Sequence, residues 1–63
     1  MIFEQALKEM RKGKKAKLYR TAYRLTQHGD LMYYDIDEMK GEHVVDNMAS
    51  WQIMSNDWEV VDE

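Results

Sequence analysis

The sequence predicts an α+β domain: an N-terminal helix packed on a small, mostly antiparallel sheet of three or four strands, with a short second helix near the C-terminus. Three observations carry this. Apolar residues recur at helical spacing through the opening segment. After Gly13 the pattern changes to aromatic and β-branched residues around a glycine turn. The chain then closes on Trp58-Glu59-Val60-Val61, which alternates as a strand does. With 63 residues, the chain has room for a single domain over residues 1–63 with a thin core.

Ile2, Phe3, Ala6, Leu7 and Met10 share one face of a helix expected over about 3–12. Glu4, Gln5, Lys8, Glu9 and Arg11 are good helix formers on the other face. Gly13 follows as a C′ glycine. Next, Ala16 and Leu18 alternate with Lys15 and Lys17, and Tyr19, Thr21, Tyr23, Leu25 and Thr26 favour strand. Read as one alternating run, the segment sets Arg20 and Arg24 on one face, Tyr19 and Tyr23 on the other. Gln27-His28-Gly29-Asp30 marks a turn, with Gly29 at positive φ and Asp30 bonding nearby backbone, so about 21–27 and 31–36 form a hairpin. Residues 37–42 make a connection centred on Gly41, and His43-Val44-Val45 is a short strand candidate. Asn47 is placed to cap a short helix that packs Met48, Trp51 and Ile53 or Met54 inward.

Charge is lopsided. Eight of the nine basic residues lie in the first 24 positions against Glu4 and Glu9, whereas ten of the twelve acids lie beyond them. Such a chain can pair its own halves, pair with a second copy, or present a basic face to an anion. A thin core and opposed charge together point to a homo-oligomer, at least a dimer. The acidic remainder repels duplex phosphates, which argues against nucleic acid. No apolar run is long enough for a membrane span, and no secretory leader is evident. With no cysteine as well, a cytoplasmic location is expected.

Chemistry-bearing patterns are few. There is no thiol nucleophile or triad, and His28 and His43 have no evident partner for acid–base work. Asp35, Asp37 and Glu38 fit no calcium-loop spacing and read as a solvated turn. Neither an enzyme nor a metal or cofactor is expected. The strongest signal is the basic stretch Arg11 to Lys17 followed by Tyr19, Arg20, Tyr23 and Arg24. Basic and aromatic residues so interleaved can hold phosphates while a ring stacks on a base. The plainer reading is a solvated basic rim with tyrosines in the core. Of Trp51 and Trp58, one is expected in the core and the other in a pocket or subunit contact. Asn56 and Asp57 either cap backbone or bind hydroxyls.

The opening Phe3-x-x-Ala6-Leu7-x-x-Met10-x-x-Gly13-Lys14-Lys15 and the ending Ile53-Met54-Ser55-Asn56-Asp57-Trp58-Glu59-Val60-Val61 resemble a family of short, mostly phage-encoded domains. That family includes a Thoeris anti-defence sponge that sequesters a cyclic ADP-ribose signal without cleaving it, in pockets between the subunits of a homotetramer. The resemblance covers about a third of the chain. It departs after Lys15, where Ala16 to Thr21 lack the family's Gly-Trp pair, so Tyr19 or Tyr23 would take the stacking role. It implies a binding protein for a cyclic or phosphorylated nucleotide signal in the host cytoplasm, with Tyr19, Arg20, Tyr23, Arg24, Trp51, Asn56 and Asp57 as candidate ligand residues. The missing pocket residues and the acidic surface leave a second expectation open, a small inhibitor that binds and blocks a host defence protein, as some anti-CRISPR-like relatives suggest.

Overall fold

A computed structural model describes residues 1–38 and 41–61. The opening helix α1 spans Phe3–Met10. Its apolar stripe buries Ala6 and Met10, with Phe3 and Leu7 half-buried beside them. Gly13 stops it: with φ at 93°, its N–H reaches the Met10 carbonyl and the Lys14 N–H reaches that of Glu9. This is the Schellman close, in which a left-handed C′ residue satisfies carbonyls that the helix leaves open.

Five strands follow, β1 (Lys15–Leu18), β2 (Thr21–Leu25), β3 (Leu31–Asp35), β4 (His43–Val44) and, after a short helix α2 (Ser50–Met54), β5 (Glu59–Val61). They form one antiparallel sheet in the order β4-β3-β2-β1-β5. The α+β architecture matches the sequence reading, with more strands than expected. The difference lies at Tyr19 and Arg20. The expected alternating run is instead two strands, since Leu18 pairs with Thr21 across a two-residue loop. The midpoint of the 37–42 connection, residues 39 and 40, lies outside the described residues.

Registered partners share a face of the sheet. Ala16, Tyr23 and Tyr33 line one face with Leu18; Lys17, Ala22 and Tyr34 line the other. The first face packs on α1 and holds the core of Ala6, Met10, Ala16, Leu18, Tyr23 and Trp58. Trp58 is its centre, with ring centroids 5.1 Å from Phe3 and 5.0 Å from Tyr23. Its indole N–H donates to the Gln52 carbonyl at 2.8 Å, so one side chain joins α1, β2 and α2. No buried side-chain polar atom among the described residues lacks a partner.

The turn between β2 and β3 forms as expected at Gly29, whose φ is 88°. Its hydrogen bonds differ from expectation. The Thr26 hydroxyl, and not the Asp30 carboxylate, accepts from the backbone N–H groups of His28 and Asp30.

The short helix α2 departs further. It starts after Ala49 rather than after Asn47. The Gln52 carboxamide oxygen takes the Ala49 N–H at 2.7 Å, one half of a capping box. None of its residues is buried. Met48 packs against the core as expected, but Trp51, expected inside with Ile53 or Met54, is exposed, and so are both of those residues. A helix of barely more than one turn can send only one side chain inward, and here Gln52 takes that place beside Tyr23.

Candidate functional site

The β1–β2 loop and α2 meet to form an exposed aromatic platform. Tyr19 stands in the first position of the loop with φ at 56°, the one non-glycine residue with positive φ among those described. Two-residue hairpin loops use positive φ there because it matches the twist of the flanking strands, and glycine normally supplies it. A bulky residue in this region is an outlier that its surroundings must hold. Two contacts hold Tyr19. Its hydroxyl donates to the Asp57 carboxylate at 2.7 Å, and its ring lies against Trp51 with centroids 6.2 Å apart and planes 22° from parallel. Asp57 accepts this bond and keeps the Tyr19 phenol protonated above its ordinary range.

Both rings remain open to solvent, Tyr19 at 58 % and Trp51 at 59 % exposure. Their stack therefore presents a flat π surface with a carboxylate at its edge. The chain supports Asp57 from behind, where its backbone N–H donates to the Ser55 hydroxyl at 3.1 Å. Asn56 is exposed next to it, and its backbone carbonyl accepts from the Met1 ammonium at 2.9 Å. Ile53 and Met54 extend the apolar surface of α2, Met54 at 79 % exposure.

The remaining candidates go elsewhere. Arg20 shares the loop with Tyr19 but pairs its guanidinium with Asp37. Arg24 points from the sheet face away from α1 and holds Glu42 through two hydrogen bonds of 2.6 and 2.9 Å. These partners keep both guanidinium groups charged and hold the Glu42 carboxyl below its usual range. Tyr23 is in the core at 3 % exposure. Its hydroxyl accepts from the Gln52 carboxamide at 3.0 Å, and burial raises its pKa. Of the seven candidates the structure thus gathers Tyr19, Trp51 and Asp57, with Asn56 adjacent in the chain and Arg20 in the same loop. Tyr23 and Arg24 stand apart.

Gln52 was not singled out by sequence. It organises this corner nonetheless, meeting Tyr23, Ala49 and the Trp58 indole. A capping box usually announces itself by Ser or Thr three residues before Glu or Gln, and here that position is Ala49. The basic end of α1 is partly neutralised, since Glu9 pairs with Lys12 and Lys14. Near it lies an open apolar groove of about 770 Å³ along Phe3, Leu7, Leu25 and Leu31, which contains none of the seven candidates. No group of metal-ligating side chains occurs among the described residues, and no helix among them is long and apolar enough to cross a membrane. Comparisons with protein-family models, curated proteins and solved structures give no match.

Proposed function

We propose that this chain is a non-catalytic binding protein of the phage anti-defence type, and that it sequesters a cyclic or otherwise phosphorylated nucleotide signal by stacking its base on Tyr19 and Trp51. The observation that carries this reading is the strained, solvent-open Tyr19 stacked on Trp51. Its contacts with Asp57 and Trp51 hold Tyr19 in place without burying its ring, which stays exposed where glycine would adopt the backbone more readily. Residues held in sparsely populated backbone regions cluster at ligand sites, and base–aromatic stacking contributes about 1–3 kcal/mol per base. Asp57 stands at the ring edge to accept from ribose hydroxyls or an exocyclic amine. Arg20 in the same loop is the nearest cation in sequence for a phosphate. Its pair with Asp37 is exposed on both sides, so a phosphate can compete for it. Both rings face solvent, which leaves room for a second copy to complete the site, as the resemblance implies.

Calorimetric titration with cyclic ADP-ribose isomers and cyclic dinucleotides tests the reading. Saturable binding is expected, weakened at least tenfold in Trp51→Ala and in Arg20→Ala. Absence of binding across the panel at high micromolar concentration would end it. The second reading, an inhibitor that blocks a host defence protein, then takes its place. It draws on Ile53 and Met54, which continue the aromatic surface along α2. Exposed Trp and Tyr flanked by aliphatic side chains are the usual anchors of protein contacts.

A further inference from the structure

A second recess lies where the 45–52 segment passes over the core-side face of β2 and β3. It has a volume of about 430 Å³, within the range of small-molecule sites. Its lining includes Thr21, Tyr23, Tyr33, Asp46, Asn47 and Gln52. The aromatic wall is fixed from two sides: the Tyr33 ring lies 6.3 Å from Tyr23 and 5.5 Å from His43. Gln52 is pinned by the Tyr23 hydroxyl at one end of its carboxamide and the Ala49 N–H at the other. Each end retains one hydrogen-bonding position. The Asp46 and Asn47 side chains make no hydrogen bond or ion pair among the described residues, although both line the recess.

This lining differs from the platform in kind. It offers hydroxyls, carboxamides and one carboxylate, and no lysine or arginine. An anion entering it would meet Asp46 with no compensating charge. A ligand hydroxyl both donates and accepts, which matches carboxylate, carboxamide and phenol groups placed together. The face of Tyr33, 36 % exposed, offers an apolar plane for the C–H face of a ring. We propose that this recess is a binding site for a neutral, hydroxyl-rich ring, of the kind found in a monosaccharide or in the ribose of a nucleoside. Asp46 and Asn47 hold its vicinal hydroxyls, Gln52 fixes its orientation, and Tyr33 stacks beneath it. The recess shares no lining residue with the platform.

Amide NMR titration of the whole chain with glucose, ribose, adenosine and ribose 5-phosphate tests this. At least one neutral probe is expected to give saturable shifts of the Asn47 and Gln52 side-chain amides, with a Kd in the millimolar range typical of small polar ligands, about 4 kcal/mol. Asp46→Ala should weaken that binding at least fivefold. Ribose 5-phosphate should bind at least fivefold more weakly than ribose. Both Asp46 and Asn47 are exposed, so Asp46→Ala and Asn47→Ala leave the fold intact and keep the test interpretable. Binding of sugars but not adenosine identifies a free saccharide, and tighter binding of adenosine a nucleoside. The proposal is overturned if no neutral probe gives saturable shifts up to about 50 mM, a limit set by weak polar binding. Tighter binding of ribose 5-phosphate than of ribose, or shifts that persist unchanged in both variants, would overturn it equally.

Discussion

Trp51, in α2, and Trp58, just beyond it, stand close in the chain and in opposite surroundings. Trp58 is 1 % exposed, packed between Phe3 and Tyr23, with its indole N–H bonded to the Gln52 carbonyl. Trp51 is 59 % exposed and touches Tyr19. The first is what a thin core requires: one large side chain that several elements share. The second adds little to that core, and its partner is held in a conformation that glycine would adopt more readily. The contrast separates a residue that builds the domain from one that the domain displays.

Truncating each indole in turn gives the sharpest separation. Trp58→Ala should cost about 3–5 kcal/mol, a large part of the 5–15 kcal/mol that ordinary domains possess, and leave the chain largely unfolded in modest urea. Trp51→Ala should cost far less, about 0.5–1.5 kcal/mol for the lost ring contact with Tyr19. Equal losses in a urea titration would erase the contrast. Gly13→Ala probes the α1 side by another route. An added Cβ would meet no atom within 4 Å, so only the left-handed backbone penalty acts, about 1–2 kcal/mol. A neutral result would show that the helix close does not constrain the chain.

A smaller effect concerns pH. Burial raises the Tyr23 pKa in the folded state, so the folded chain holds this proton more tightly than the unfolded chain. The resulting stability is complete below the ordinary phenol pKa of about 10. It is lost as pH rises through the higher folded value. Thermal melts of wild type should therefore fall more steeply above about pH 10 than those of Tyr23→Phe. The Tyr19 phenol is also raised, by Asp57, so Tyr19→Phe serves as the companion. Identical alkaline slopes for wild type and Tyr23→Phe would show that the core tyrosine is not the group responsible.

Much of the structural half was legible in the sequence. The i, i+3, i+4 pattern of Phe3, Ala6, Leu7 and Met10 permits few alternatives, and Gly13 and Gly29 adopt the positive φ expected of them. What escaped was set by geometry that composition does not encode. Tyr19-Arg20 contains neither glycine nor asparagine, so nothing in the sequence marked a hairpin loop there. Without such a mark the pattern runs two strands together, and a face assignment based on alternation does not survive the break between Leu18 and Thr21. Likewise, apolar Trp51, Ile53 and Met54 resembled an inward face. Gln52 won the inward position because its carboxamide satisfies both Ala49 and Tyr23. The candidate site was legible as residue types rather than as a group. In the sequence Tyr19, Trp51 and Asp57 stand out for separate reasons, and only the fold brings them together.

Tryptophan emission tests the central claim most directly, because only one of the two indoles is open to a ligand. Cyclic ADP-ribose isomers or cyclic dinucleotides stacking on the platform should quench emission of the wild-type chain with a saturable profile. The quench should vanish in Trp51→Phe, whose remaining Trp58 is buried. A quench that persists undiminished in Trp51→Phe, or calorimetric binding with no change in wild-type emission, would place the ligand elsewhere and contradict the account.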